Sequence, residues 1–559
     1  MAAFVLIFVR SGLAAAERIE PGQLPAPFEL HPALELQLLV QEPNVVDPVA
    51  LTFDADGRMY VVEMRDYPYG FGSERKPGGT VRLIEDLDGD GAFERATIFA
   101  EDLSFPTSIV PWKEGVLVAA PPQILFLKDT NGDGRADVRE VIVQGFTLGV
   151  TDSNMNGLRW GLDHRVHGVN GGNGGRLTSP EKPEAILSIS KADFSFDPDS
   201  GDITRTFQTS GGFGLVFDDW GRSFVTYNID HIQHPVVPLR FLERFPGLPP
   251  QETTVSISDH GEMARIYPIS VPETRVNHPE QSGHFSAAGG MGWIGAGIFP
   301  SELYGSILVC DVVGNLVHRD QLVPSGPIFR ARRPAIEQER EFFASRDNAF
   351  RPVGLELGPD GALYLIDMQR DVIEHPDYIP KKVLEKLDIR AGEMRGRIYR
   401  IAPKGMRPVS FPKLAQAKTA VLLDELSSDN AWRRSTAQRL LLERQEKWAV
   451  SALKRIAREG KKPLGRLHAL WTLRGLNALD ESLLLRALRA DEPGLRENAL
   501  QLAETRLSAS KPLQEAVLQL AEDPDVRVRF QAALMLGNID EITAYRALAI
   551  ILARDFEHR

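Results

Sequence analysis

The chain has 559 residues, 43% of them hydrophobic and 25% charged, an ordinary globular composition that is too long for one core and points to two domains. A formal net charge of −12, with no basic stripe in the first 400 residues, excludes a general nucleic-acid binder, whose affinity needs clustered Lys and Arg. Cys310 is the only cysteine, which excludes an internal disulfide, a covalent C-x-x-C-H haem and a cysteine zinc cluster.

Met1 to Ala16 carries an apolar stretch and then Leu13-Ala14-Ala15-Ala16 before Glu17, so residues 1–16 resemble a secretory signal peptide, although a basic start is missing and Arg10 interrupts the apolar run. Export to the periplasm or cell envelope is the expectation. No other segment approaches the ~20 apolar residues of a membrane span.

From residue 30 to 403 the chain reads as β-rich, with one phrase recurring: a polar turn, then apolar and aromatic residues. It stands as Asp54-Ala55-Asp56-Gly57, Asp218-Asp219-Trp220-Gly221 and Pro359-Asp360-Gly361, each before a run such as Met59-Tyr60-Val61. Weaker copies run over 112–118, 160–166 and 299–309. Asp-Gly between β-rich runs is a strong hairpin signal. Six such units, none able to bury its faces alone, predict a six-bladed β-propeller over residues 30–405. Residues 397–401 read as a final strand that completes the first blade, and 228–290 and 315–350 as long functional loops.

Asp129-Thr130-Asn131-Gly132-Asp133-Gly134, with Asp137 and Glu140 following, has the spacing of a calcium loop: Asp129, Asn131, Asp133, Asp137 and Glu140 would surround a hard cation. Asp86, Asp88, Asp90 and Glu94 form a partial second copy. Both also read as plain hairpin turns. Gly168–Gly175 and Gly289–Gly292 lie outside any βαβ context, so they read as close backbone approach rather than phosphate loops. His231, His234, His260, His278 and His284 lie in or beside the first long excursion, yet no H-x-H or H-E-x-x-H spacing supports a preformed metal site.

After Pro403 the composition changes to Leu, Ala, Arg and Glu at helical spacing. Arg434, Arg466, Arg496 and Arg529, at intervals of 32, 30 and 33, each precede an Ala three residues on. That period predicts an α-solenoid over residues 414–559, resembling short HEAT repeats, with a protein partner expected on it.

The segments Asn156–Asp163, Asn315–Arg319, Phe350–Leu355, Asp360–Tyr364 and Gly396–Ile401 together resemble the sugar dehydrogenase-like propellers that use pyrroloquinoline quinone (PQQ), above all PVC-type haem-binding and membrane-bound dehydrogenase proteins. The resemblance implies oxidation of a sugar or alcohol hydroxyl, with an external electron acceptor because no haem module follows. It also implies a His base before the strand that contains Leu158. Asp152-Ser153-Asn154-Met155 stands there instead, and Asp152 could serve only with a pKa raised by burial. Residues flanking blade strands are candidates to face the axial channel: Glu63, Arg65, Asn156, Arg159, His284, Arg351 and Asp367 for the cofactor, and Asp230 with His231 as a base pair. Arg159 and Arg351 could grip quinone carboxylates or bridge blades. The alternative is a non-catalytic scaffold whose propeller binds a glycan or protein. Converging Arg, His and carboxylate in the channel would favour the enzyme, and an aromatic-lined channel the scaffold.

Overall fold

The computed structural model describes residues 28–556 except 73, 210, 245–251, 262, 272–278 and 408. The expected signal segment and His278 lie outside the described residues.

Each of the six turn phrases closes the innermost hairpin of one blade. The six antiparallel sheets follow the chain: blade 1 at 48–103, blade 2 at 108–146, blade 3 at 156–205, blade 4 at 215–256, blade 5 at 288–345 and blade 6 at 352–403. The turns form locally. Asp54 Oδ1 accepts the amides of Asp56 and Arg58 at 2.9 Å, and Asp218 Oδ1 does the same for Trp220 and Arg222. Gly361 occupies φ +86°, which an L side chain rarely adopts. The blades bury their faces against one another, as where Phe53 of blade 1 meets Tyr364 of blade 6 edge-on at 4.7 Å. Cys310 is buried in the strand Ser306–Asp311, and burial pushes its thiol pKa up.

Two expectations change. Residues 397–403 are the third strand of blade 6, and the N-terminal strand Leu34–Gln41 adds outside it in the register Leu36↔Ile401, closing the ring. The reason is that strand pairing at closure depends on which edge is left open, which local sequence does not encode. Residues 315–350, expected as a loop, supply most of the outer half of blade 5, including the ten-residue strand Leu316–Ser325. The excursion 228–290 likewise contains strands Asp230–Pro235 and Thr254–Ser256 of blade 4. In addition, the hairpin Gly175–Ser179 and Lys182–Ser188 leaves blade 3 to extend the edge of blade 2.

The helices from Thr419–Glu425 to Ile542–Asp555 form a two-layered solenoid. Three of its four repeated arginines share one contact, and the fourth, Arg466, donates instead to the Ala457 carbonyl nine residues earlier. Arg434, Arg496 and Arg529 each donate to the carbonyl six residues earlier, Ser428, Ala490 and Asp523, at 2.9, 2.7 and 2.6 Å. Arg496 and Arg529 also pair with Asp523 and Asp555 of the following unit, whereas Arg434 pairs with Asp219 in the first turn of blade 4. The inner layer of helices therefore packs on the propeller face that carries the six turns. Arg222 to Glu497, Asn498 to the Trp220 carbonyl and Gln438 to the Leu162 carbonyl extend this contact. No described helix is long and apolar enough to cross a membrane.

Candidate functional site in the axial channel

The solenoid decides which end of the channel can receive a ligand. Helix Ala431–Glu443 lies across the lower mouth, where Trp432, Thr436 and Arg439 help to line a chamber of about 240 Å³. Above it, Val49, Phe213, Gly290 and Val353 border both this chamber and an upper cavity of about 420 Å³. Glycine is required at this neck, since a Cβ on Gly290 would lie 1.9 Å from the Val353 carbonyl oxygen. Across the lower chamber, Arg159 of blade 3 donates to Glu356 of blade 6 at 2.6 Å and to the Leu215 carbonyl at 2.9 Å.

The upper cavity is built by loops at the opposite ends of the inner strands. Thr151 and Asp152 come from the short turn before blade 3, Tyr227 and Asn228 from the second hairpin of blade 4, and Glu374, His375 and Tyr378 from the long connection within blade 6. Asp152 is exposed where it borders the cavity. Desolvation raises its carboxyl pKa, opposed first by the charge of His375. Burial lowers the His375 imidazole, opposed by Asp152 and then Asp377. Tyr67 is fixed by donating its hydroxyl to the Ile373 carbonyl at 2.5 Å. Val312, Val313, Met64 and Met368 supply apolar wall.

Of the candidate catalytic and cofactor residues, Asp152 alone borders this cavity, and Asn156 and Arg159 line the lower chamber. The others serve the fold. Glu63 is fully buried, accepting from Val46 N, Thr80 Oγ1 and both Arg82 nitrogens at 2.5 to 3.2 Å. Asn156 bridges blades 3 and 4 through Gly212 and Gly214. Arg351 spends its guanidinium on the carbonyls of Arg370, Val312 and Asp371, and burial draws its pKa down to about 10. Asp367 accepts from the Arg351 and Gln369 amides and the Gln369 side chain, with its pKa raised to about 6 by burial. Arg65 presents its backbone carbonyl to Arg390, and His284 sits in a short bridge with Arg265; neither borders the cavity.

Asp230 and His231 lie on the strand Asp230–Pro235, turned into the seam between blades 4 and 5 rather than the channel. Asp230 accepts from Gln233 and Ser256 at 2.8 Å, and His231 Nε2 lies 2.8 Å from Asp320 Oδ2. Asp230 and His231 lie beyond the turn Asn228–Ile229, which borders the cavity, and their partners are on blades 4 and 5. In the hairpin turn carrying Asp129, Asn131 and Asp133, those side chains accept the turn's own amides, Asp137 accepts from Thr130, and Glu140 lies exposed on the strand Val138–Phe146. The parallel turn draws Asp86, Asp88, Asp90 and Glu94 together, again around its own amides. His375 and the tyrosines escaped notice from sequence, because only the return of blade 6 beside blade 1 sets them opposite Asp152.

The donor set fits PQQ poorly. A tricarboxylate needs cations, yet the cavity's described lining includes Asp152 and Glu374 and neither Arg nor Lys, while Arg351 and Arg159 have their donors engaged elsewhere.

A family profile described as a domain of unknown function (DUF7133) matches residues 21–405. No curated protein matches the chain. Similar solved structures include a glucose dehydrogenase from Thermus thermophilus, at 15% identity and TM-score 0.37, covering 66% of this chain and 99% of that one. The holo PQQ domain of pyranose dehydrogenase from Coprinopsis cinerea is 12% identical, with TM-score 0.39 and coverage of 68% and 98%. An auxiliary nutrient binding protein from Bacteroides ovatus is 12% identical, with TM-score 0.36 and coverage of 66% and 76%. At these identities the likeness concerns fold alone.

Proposed function

The chain belongs to the DUF7133 family, and from the geometry of its upper cavity we propose that it binds a carbohydrate or similar neutral polyol, with Asp152 and His375 engaging a ligand hydroxyl. One observation carries this reading: a carboxyl, Asp152, and an imidazole, His375, border one cavity with Tyr67, Tyr227 and Tyr378 and with no cationic lining residue among those described. Hydroxyls satisfy carboxylate and amide groups, whereas tyrosine faces cover the C–H faces of a sugar ring. A volume of about 420 Å³ suits a small saccharide. Export through residues 1–16 would expose the cavity to envelope carbohydrate, and a protein partner on the solenoid would meet the exposed Ile542, Tyr545 and Leu552.

A second reading, oxidation of the bound hydroxyl, is favoured by the raised pKa of Asp152, which makes it a better proton acceptor than a free carboxylate. Calorimetry of the full chain against a sugar and polyol panel tests both. Saturable binding is expected, weakened at least tenfold in Asp152→Asn and in His375→Gln. Heats of dilution alone across the panel would sink the binding reading. Reduction of an artificial electron acceptor by the sugar-bound protein would establish the oxidative reading, and its absence would leave recognition alone.

A further inference from the structure

In the seam between blades 4 and 5, three histidines and an aspartate that are far apart in sequence converge. His231 comes from blade 4, His260 from the turn after the strand Thr254–Ser256, and His318 and Asp320 from the strand Leu316–Ser325 of blade 5. Two-residue spacing on that strand puts His318 and Asp320 on one face. The ring centroids lie 5.1, 5.2 and 5.5 Å apart, and one potential ligand atom from each of the four residues lies within 4.8 Å of the others. Two edges of the cluster are measured directly: His231 Nε2 to Asp320 Oδ2 is 2.8 Å and His318 Nε2 to Asp320 Oδ1 is 3.3 Å. Ligand bonds of about 2.0–2.1 Å around a tetrahedral ion set such edges at about 3.4 Å.

Two of the three histidines carry the orienting carboxylate of a ligating imidazole, whereas His231 Nδ1 is buried without a partner. His260 Nδ1 lies 2.7 Å from Asp259 and His318 Nδ1 lies 2.8 Å from Glu341, which is itself held by the Tyr267 amide and Arg333. A carboxylate on one ring nitrogen orients the imidazole and leaves the other nitrogen bare for an ion. The bare atoms are present: His260 Nε2, His318 Nε2 and Asp320 Oδ1 are buried without hydrogen-bond partners. His318 faces a carboxylate on each ring nitrogen, and with an ion bound its Nδ1 proton would go to Glu341 and its Nε2 would offer a lone pair. Two acceptors facing at 3.3 Å require a proton or a cation between them. Phe285, stacked on His231 at 4.2 Å and 7°, adds an apolar wall.

We propose that His231, His260, His318 and Asp320 bind one divalent first-row transition ion, of the zinc type, which ties blade 4 to blade 5. Three imidazoles and one carboxylate suit zinc, cobalt or iron rather than the all-oxygen shell of calcium or magnesium. Asp259 and Glu341 act as positioning residues through the histidines they hold.

Untagged full-length protein, stripped of metal and titrated with Co²⁺, tests this in the visible spectrum, where four-coordinate cobalt absorbs far more strongly than the hydrated ion. One equivalent should give the strong bands, Zn²⁺ should displace it, and the melting temperature should rise with either ion. His260 is half-buried at the seam's edge, so His260→Gln is expected to fold and to lose at least tenfold in affinity, and Asp259→Asn to lose ten- to a hundredfold. Cobalt that keeps the hydrated-ion spectrum, or strong bands undiminished in His260→Gln, would overturn the site and leave a proton as the group between His318 and Asp320.

Discussion

Asp193 shows how a single buried carboxyl governs pH response in this fold. It accepts from the Asn170 amide at 3.0 Å and the Thr209 hydroxyl at 2.9 Å, and burial pushes its pKa up to about 7. Because the folded pKa exceeds the unfolded one, the native state holds the extra proton between about pH 4 and 7, and stability contributed by this group falls as pH rises through that window. Asp66, raised to about 6, acts in the same direction. Asp193→Asn keeps an acceptor and removes the titration. Its stability relative to the parent should therefore grow by about 3 kcal/mol between about pH 4.5 and 8, measured by urea unfolding at both values; an unchanged difference would refute the assignment. Sequence marked Asp152 because of its place before an inner strand. It did not mark His375, which shares a cavity wall with Asp152 only because the ring closes, nor could it show that the donors of Arg351 are spent on backbone carbonyls.

At the scale of elements, Arg434, Arg496 and Arg529 tie their helices to the loops before them. Arg496 is the clearest case, with two carbonyls and a bidentate Asp523 at 2.7 to 2.9 Å. Arg496→Ala leaves Asp523 buried without its cation, and a loss of about 3 kcal/mol is expected in chemical unfolding followed at Trp471 on the neighbouring helix. A change within about 0.5 kcal/mol would show the contact to be ornamental. These helices, and the innermost hairpin of every blade, were legible because their chemistry is short-range. The strand Leu316–Ser325 was not. Its apolar alternation is broken by His318, Asp320 and Pro324, residues that read as loop until the opposite blade supplies their partners.

For the molecule as a whole, ring closure rests on residues from opposite ends of the propeller sequence. Arg370 of blade 6 forms a bidentate pair with Asp47, just before blade 1, at 2.6 and 2.8 Å with both side chains fully buried. Arg370→Met strands the Asp47 carboxyl at the junction, and a loss of about 3–5 kcal/mol is expected in the thermal or urea transition of the propeller. The strand Leu34–Gln41 and the solenoid complete the closure from outside and below. With the lower mouth covered by helix Ala431–Glu443, ligand access is left to the loop-built upper face.

The sequence by itself determined the architecture: six repeats of one turn phrase and a 30-to-33-residue arginine period suffice, because turn and helix-cap chemistry acts over a few residues. Only the tertiary structure decided the sites. The Asp152–His375 pair and the His231, His260, His318 and Asp320 cluster join residues tens to hundreds of positions apart, and such convergence exists only once hydrophobic packing has closed the ring and fixed which faces meet.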